Sequence, residues 1–321
     1  MSTGDSQRAR EAFRALDFGV AAELFMTPTA ELCDYVLPAT SFLEMATVSN
    51  DFKHRAQGKL HVQYRPLVVA PLAERRSDTW IVFELAKRLG LGDDFWQGDI
   101  DAAYEHELAP AGITLNQLKA SPGGMTIAAS PRYQKFATVE NSGPPRGFNT
   151  PDKKVAVYSH TFAAHGFAPL PEYVEPMVSP LSRPDVAKDY PLVLTNAKFT
   201  TYIHSQLRGL TSLRKVSPHP SADIHPETAS RYGITDKDWM VIESPRDSIR
   251  AKARVTDAIA PGVVCCQHGW WQECKELELP GYDSYGVGSA NPSLLIGSDI
   301  ADPISGSLPH RSFLCRVRPV E

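Results

Sequence analysis

The chain has no run of roughly 18 apolar residues, so the sequence offers no helix that would span a membrane. Its opening stretch, Met1 to Arg10, has no apolar core of the kind a secretory leader needs. With no other address in the sequence, the default compartment is the cytoplasm. Cysteine is scarce and unpatterned: there are five, Cys33, Cys265, Cys266, Cys274 and Cys315. An odd count, two of them adjacent and none in a CxxC pair, does not make a disulfide framework. Cys265, Cys266, His268 and Cys274 lie as close in sequence as metal ligands do. However, Val263-Val264-Cys265-Cys266 reads as a buried strand, where cysteine acts as a small apolar residue. Excess positive charge is missing too. There are 33 Lys and Arg against 37 Asp and Glu, a formal net charge of −4, and the pI is about 6.2. A dedicated nucleic-acid binder would carry a basic stripe instead. Phosphate-loop, nucleophile-elbow and zinc-protease motifs are absent. Gly286-Val287-Gly288-Ser289-Ala290-Asn291 is a glycine-rich turn without the GxGxxG spacing. Internal repeats and low-complexity tracts are absent as well.

What remains is an ordinary globular composition, 42% apolar and 22% charged over 321 residues. That length suggests two domains with separate cores. Proline is abundant, 26 of 321, which predicts many irregular connections. Residues 5–16 read as a helix capped by Asp5 or Ser6, with Ala9, Ala12, Phe13 and Leu16 on one face. A short strand follows over 20–25, then one helical turn at 30–33, then a strand at Tyr35-Val36-Leu37-Pro38 closed by its proline. Asp78 is expected to cap a helix with Ile81, Val82, Leu85, Ala86 and Leu89 inward and Gly90 as its stop. Strand, helix, strand and helix in succession suggest the edge of an α/β domain. Two strands cannot complete such a domain. Phe13, Leu16, Val20, Leu24 and Phe25 are therefore expected to stay exposed unless upstream layers cover them.

Residues 96–190 read as an irregular connector, punctuated by Pro144, Pro145, Pro151, Pro169, Pro171, Pro176, Pro180 and Pro184. One short strand is expected within it at Val155-Ala156-Val157-Tyr158. Residues 191–321 change character. Apolar runs recur at 192–195, 240–243, 249–256, 263–266 and 313–317. Ile249, Ala251, Ala253 and Val255 alternate with Arg250, Lys252, Arg254 and Thr256, the period of a half-buried strand. Pro226 opens a short helix that Gly233 closes. Many short strands with one or two small helices suggest a compact β-barrel.

The densest polar stretch runs from Thr195 and Asn196 through Lys198 to His204 and Ser205, directly after a strand. Amide, hydroxyl, ammonium and imidazole groups at a strand end can clamp a phosphate or the edge of a heterocycle. A solvated loop is the competing reading of the same residues. His268-Gly269-Trp270-Trp271 forms a second cluster. Adjacent side chains of a strand face opposite ways, so at least one tryptophan is expected at a pocket or an interface. Asn291 and the group Pro309-His310-Arg311-Ser312 form a third, where Arg311 either pairs with a phosphate or stands in water.

These residues resemble the molybdopterin-dinucleotide oxidoreductases, the dimethyl-sulfoxide-reductase family. One block is Phe25-Met-Thr27-Pro-Thr29-Ala30-Glu-Leu-Cys-Asp34-Tyr-Val-Leu37-Pro38-Ala39, followed by Glu44, Asn50 and Arg55-Ala-Gln57. Cys33 stands where the family usually has alanine, and Ala46-Thr47 replaces a common Gly-Thr. The second block runs from Pro191-Leu-Val-Leu-Thr195 through His204-Ser205, Ile224-His225-Pro226, Asp238 and Pro261-Gly262 to Gly269-Trp270-Trp271 and Asn291. Lys237-Asp238-Trp departs from the family's Gly-Asp at one place. Gly147-Phe148-Asn149-Thr150-Pro151 and Leu170-Pro171-Glu172-Tyr173 resemble the branch near thiosulfate and polysulfide reductases or acetylene hydratase.

The resemblance implies an α/β partial domain over 1–95, the connector, and a mainly β double-psi barrel over 191–321, like that of aspartate decarboxylase. It implies molybdopterin guanine dinucleotide with molybdenum or tungsten as cofactor, and two-electron redox chemistry on a small substrate. Thr195, Asn196, Lys198, His204, Ser205, Asn291 and Arg311 are the implied cofactor contacts, and Trp270 the implied wall of the substrate pocket. The family's iron–sulfur cysteines and metal ligand lie upstream of these motifs and match none of the five cysteines here. The expected partner is therefore an N-terminal catalytic polypeptide of the same enzyme or an electron-transfer subunit, with no nucleic acid and no membrane span. A non-catalytic cofactor-binding module, a truncated remnant and part of a non-redox hydratase are the alternatives.

Overall fold

A computed structural model describes residues 3–51, 59–128, 133–139 and 142–320. Arg55-Ala-Gln57 of the first motif lie outside the described residues. No helix among the described residues is long and apolar enough to cross a membrane. The chain divides into two compact units: 1–19, 27–34 and 173–321 form one, and 20–26 with 35–172 form the other. This differs from the expected three-way division at 95 and 190. The N-terminal helix α1 (Ser6–Arg14) belongs with the barrel, and the supposed connector is split between the units.

The unit without the barrel contains two small sheets. Strands β1 (Val20–Glu23) and β2 (Tyr35–Pro38) pair in parallel, Val20 opposite Tyr35 and Glu23 opposite Pro38. Both fall where the apolar runs predict them. Val20, Leu24 and Phe25 are exposed, as are Phe13 and Leu16 at the other unit's N-terminal helix. Strands β3 (Thr47–Asp51), β4 (Lys59–Arg65) and β5 (Met125–Ala128) form an antiparallel sheet. Helix α2 (Asp78–Arg88) is capped by Ser77, whose Oγ accepts from Trp80 N at 3.2 Å; Asp78 is its first residue, not its cap. Its buried side chains are Phe83 and Ala86, whereas Val82, Leu85 and Leu89 are exposed. The expected inward face is therefore only partly inward.

The first third of the expected connector is regular. Helices α3 (Ile100–Leu108) and α4 (Leu115–Lys119) bury Leu108, Leu115 and Leu118 with Ile113 and Val62 of β4. Thr114 and Gln117 close a capping box at the start of α4. Proline-poor sequence allows this, since the prolines concentrate after 144. Beyond it the chain does run irregularly, with short helices α5 (His160–Ala164) and α6 (Pro184–Ala187). Residues 155–158 form no strand: Val155 and Val157 are exposed and no neighbouring strand takes up their backbone groups.

The other unit is a closed six-stranded barrel. It comprises β6 (Leu192–Asn196), β7 (Ser221–Ile224), β8 (Trp239–Glu243), β9 (Ser248–Val255), β10 (Val263–Cys266) and β11 (Phe313–Pro319), in the circular order β10-β6-β11-β8-β9-β7. Five of the six lie at the predicted runs. Two pairings are parallel, β6 with β10 and β7 with β9; the other four are antiparallel. The alternation read in β9 holds: Ile249, Ala251 and Ala253 are buried, and Arg250 and Arg254 face water. The barrel interior is filled by Leu192, Leu194, Ile224, Met240, Ile242 and Val264. Each such burial is worth about 1.5–3 kcal/mol. Helices α7 (Thr211–Val216) and α8 (Pro226–Arg231) lie in the connections, and α8 ends at Gly233, whose φ of 66° favours glycine. Helix α1 is fastened to this unit through Asp5. Its carboxylate accepts from Ser298 Oγ at 2.8 Å and pairs with Arg246 at 3.4 Å. Gly4 allows that approach, since a Cβ there would meet Leu308 at 2.6 Å.

Candidate functional site

Four strand ends converge on one rim of the barrel. Because β6 and β10 are parallel, with Asn196 opposite Cys266, the loops that leave them emerge on the same side. Strand β11 runs antiparallel to β6, with Phe313 opposite Leu194, so the segment 309–312 arrives at that rim. Strand β7 runs antiparallel to β10 and starts there, where Gln267 Nε2 donates to Ser221 Oγ at 2.8 Å. Three sequence clusters read separately thus meet because of strand direction.

Of the expected contacts, Thr195 and Asn196 are half-buried at the end of β6, and Lys198 is exposed on the loop that follows. His204 is exposed and has a φ of 47°; Leu207 in the same loop has 69°. Two non-glycine residues in the left-handed region mark a strained loop, which folds tolerate where a ligand is held. Ser205 is half-buried, and its carbonyl accepts from Trp271 Nε1 at 3.1 Å. Arg311 is exposed beside His310 at the entry to β11.

Sequence reasoning left three further residues of this rim unassigned. The ring of His268 lies 4.9 Å from that of His204, centroid to centroid. Burial first, and then His204, Arg208, His310 and Lys198, hold His268 below the usual imidazole range. Burial does the same to His310. Arg208 is fully buried, donating to Gln206 O at 2.8 Å and to His268 O at 3.1 Å, and burial lowers its guanidinium to about 10. Its Nε is buried without a partner. The available signal for His268 and His310 was their place within the second and third polar clusters.

The expected contact Asn291 and the expected pocket wall Trp270 are both buried. Asn291 is fully buried. Its Nδ2 donates to Ser6 Oγ and to Ser284 O, both at 3.1 Å, and its Oδ1 accepts from Ser293 N at 3.2 Å. The amide is engaged by the chain itself, so Asn291 fastens α1 and the turn at 292–294. Trp270 is also fully buried. It packs with Tyr202 and Ala290, and its Nε1 donates to Gln267 Oε1 at 2.8 Å. The guanidinium carbons of Arg208 and Arg214 stand 5.0 and 4.8 Å from its ring centre. Trp271 is the half-buried member of the pair.

Beside the rim, the outer side of the β6 loop borders a cavity of about 590 Å³ lined by Phe199, His219, Lys237, Lys252, Arg254 and Gln267, among others. Arg254 is held there by Asp223 through two bonds of 2.6 Å. Cys265 and Cys266 are buried in β10 as the sequence suggests, and burial pushes the Cys265 thiol up to about 11. Basic groups crowding the rim, an unpartnered buried Arg208 Nε and a strained loop together suit an anionic ligand with phosphates.

Comparison with known proteins bears on the kind of ligand. A family model described as "Molydopterin dinucleotide binding domain" matches residues 192–314, and one described as "Molybdopterin oxidoreductase" matches 1–88. The chain belongs to the molybdopterin oxidoreductase family. Within it, the chain is 30% identical to the acetylene hydratase of Syntrophotalea acetylenica over 289 residues, 87% of this chain and 36% of that one. It is 28% identical to the dimethyl sulfoxide/trimethylamine N-oxide reductase of Rhodobacter capsulatus over 299 residues, 88% of this chain and 36% of that one. The solved structure of acetylene hydratase from Pelobacter acetylenicus superposes with a TM-score of 0.82 at 27% identity, covering 99% of this chain and 42% of that one. The chain thus spans a little over a third of the length of these relatives. The dinucleotide-binding match begins at the first residue of β6 and ends within β11, so in this family the rim belongs to the cofactor-binding barrel.

Proposed function

We propose that this chain supplies the dinucleotide-binding portion of a molybdenum- or tungsten-containing oxidoreductase, with molybdopterin guanine dinucleotide held at the barrel rim. The observation that carries this reading is the basic, strained rim built from the ends of β6, β10 and β11, inside the segment that the dinucleotide-binding model matches. When bound, the cofactor supplies two-electron redox chemistry at its metal. The chain's own part is to bind and orient. Lys198 and Arg311 balance pyrophosphate charge, while Thr195, Asn196, His204 and Ser205 offer short polar contacts to the phosphates or ring edges. We read the barrel as the double-psi kind, which its six closed strands and two parallel pairings support. In this reading the metal ligand and any iron–sulfur cluster come from an N-terminal polypeptide of the same enzyme, or electrons come from a partner subunit. The exposed Phe13, Leu16, Val20, Leu24 and Phe25 support such an association.

The likeness to acetylene hydratase favours a second reading, a non-redox hydration by the same cofactor. The test is co-expression with the remaining polypeptide of the enzyme, followed by measurement of molybdenum, tungsten and pterin per chain after gel filtration. A charge-assisted contact is worth about 1.5–3 kcal/mol, so Lys198→Ala should lower cofactor retention about tenfold or more. Full retention in Lys198→Ala and His204→Ala, with loss in Lys252→Ala, would show the rim to be the wrong place. Assaying the loaded enzyme for reduction of sulfoxides and for hydration of acetylene separates the two chemistries.

A further inference from the structure

The rim carries two imidazoles that no expected cofactor contact includes, and their surroundings are unusual. His268 and His310 are each half-buried, and among the described residues no group of the chain hydrogen-bonds either ring. Their ring nitrogens reach solvent and are therefore open to a ligand. The charged neighbours that act most strongly on His268 are all basic: Lys198, His204 and Arg208 from the segment after β6, and His310 from the segment before β11. No carboxylate stands among them. Arg208 also holds the backbone of His268 through its Nη2, fixing where the ring sits. The arrangement is self-repelling when protonated, and the repulsion is relieved by loss of the imidazole protons or by a negative charge placed among these groups.

Resting on the cofactor reading above, we propose that His268 and His310 form a proton-linked seat for the pyrophosphate of the dinucleotide, gaining protons as the anion docks. In the chain alone, burial and the basic neighbours keep His268 below the ordinary imidazole range, and burial keeps His310 there. A doubly charged pyrophosphate reverses that preference and turns the rings into charge-assisted donors. Affinity for the cofactor's nucleotide end then increases as pH falls through the neutral range. These histidines bind and position; no step of the reaction is assigned to them.

The test uses the full chain and GDP-mannose, a probe whose pyrophosphate is esterified at both ends and so keeps its charge from pH 8 to 6. Calorimetric titration in two buffers of different protonation enthalpy reads the protons taken up on binding. We expect net proton uptake at pH 7 and an affinity gain of about tenfold between pH 8 and pH 6, up to the tenfold per unit that one fully linked proton gives. The double variant His268→Gln/His310→Gln should still bind at pH 8, with both the uptake and the pH slope gone. Proton magnetic resonance of the wild-type histidine rings gives a second measurement that needs no variant: two midpoints should move up when the probe is added. Binding without proton uptake and with unmoved midpoints overturns the proton linkage and leaves the cofactor reading intact. Absence of binding at every pH overturns both.

Discussion

Arg214 offers the sharpest test of how the rim is supported. It is fully buried, and among the described residues it pairs with no carboxylate; backbone carbonyls accept its hydrogen bonds. Its Nε donates to Pro218 O at 2.8 Å, its Nη1 to Arg208 O at 3.1 Å and Gln272 O at 3.0 Å, and its Nη2 to Pro280 O at 2.8 Å. One planar group thus joins the segments after β6, before β7 and after β10, with the face of Trp270 against it. Replacing it with Met keeps much of the volume and removes every one of those donors. Each carbonyl left dry costs about 1–3 kcal/mol. Against that, the desolvation of a buried cation, several kcal/mol, is relieved. The balance is a loss of about 3–5 kcal/mol, four carbonyls left without donors against one relieved charge. That is a large share of a domain's usual ~5–15 kcal/mol. The assay is urea unfolding read by hydrogen exchange in β6 and β10, which isolates the barrel from the other unit. Arg214→Lys retains the charge but not the planar fork, so it should fall between wild type and Arg214→Met. A loss below about 1 kcal/mol in Arg214→Met, or full stability in Arg214→Lys, would refute the argument.

Asn291→Ala should cost about 2–4 kcal/mol of barrel stability, since it removes the amide's bonds to Ser6 Oγ, Ser284 O and Ser293 N; protease nicking near residues 3–14 measures the release of α1, and unchanged resistance would refute that fastening role. Glu44 accepts from Ser41 N and Leu72 N, each at 2.8 Å, and pairs with Arg75, which together hold its carboxyl near 2. Its folded value is below its ordinary 4.5, so its stabilisation is present above that value and fades as pH falls from there toward 2. In Glu44→Gln that part of the acid sensitivity should vanish from a pH series of thermal melts. Iodoacetamide at pH 8 should label Cys33 first, because burial keeps the Cys265, Cys266 and Cys315 thiols protonated; mass spectrometry showing Cys265 labelled as fast as Cys33 would contradict that burial.

Five barrel strands were legible because each is a compact apolar run between turn residues, with β9 showing its period directly. Strand β7 was not: Ser221-Ala222-Asp223-Ile224 is short and half polar, and its place is set by two neighbours it meets only in the closed barrel. The sheet of β3, β4 and β5 was missed for a related reason, since β5 joins β4 across some sixty residues. Position along the chain located Lys198, His204 and Arg311 at one rim's worth of loops. Burial was what sequence hid. Trp270 and Asn291 carry the residue types of a site, yet their partners come from Gln267, Ser6 and Ser284, and only the fold brings those together. Conversely, His268 and His310 gain meaning only once parallel β6 and β10 put their loops side by side.

The barrel unit is also discontinuous in time. Asp5 N donates to Ile296 O at 2.6 Å and Gln7 Nε2 to Tyr285 O at 2.9 Å, contacts between residues nearly three hundred positions apart. During synthesis, α1 emerges long before the segment that receives it. The unit between can fold first, since its own contacts lie within residues 20–172. Helix α1 must then wait, its hydrogen-bond partners missing, until residues 284–298 have left the ribosome. The same contacts mean that an expression boundary placed between the barrel and the first nineteen residues would cut through one folding unit.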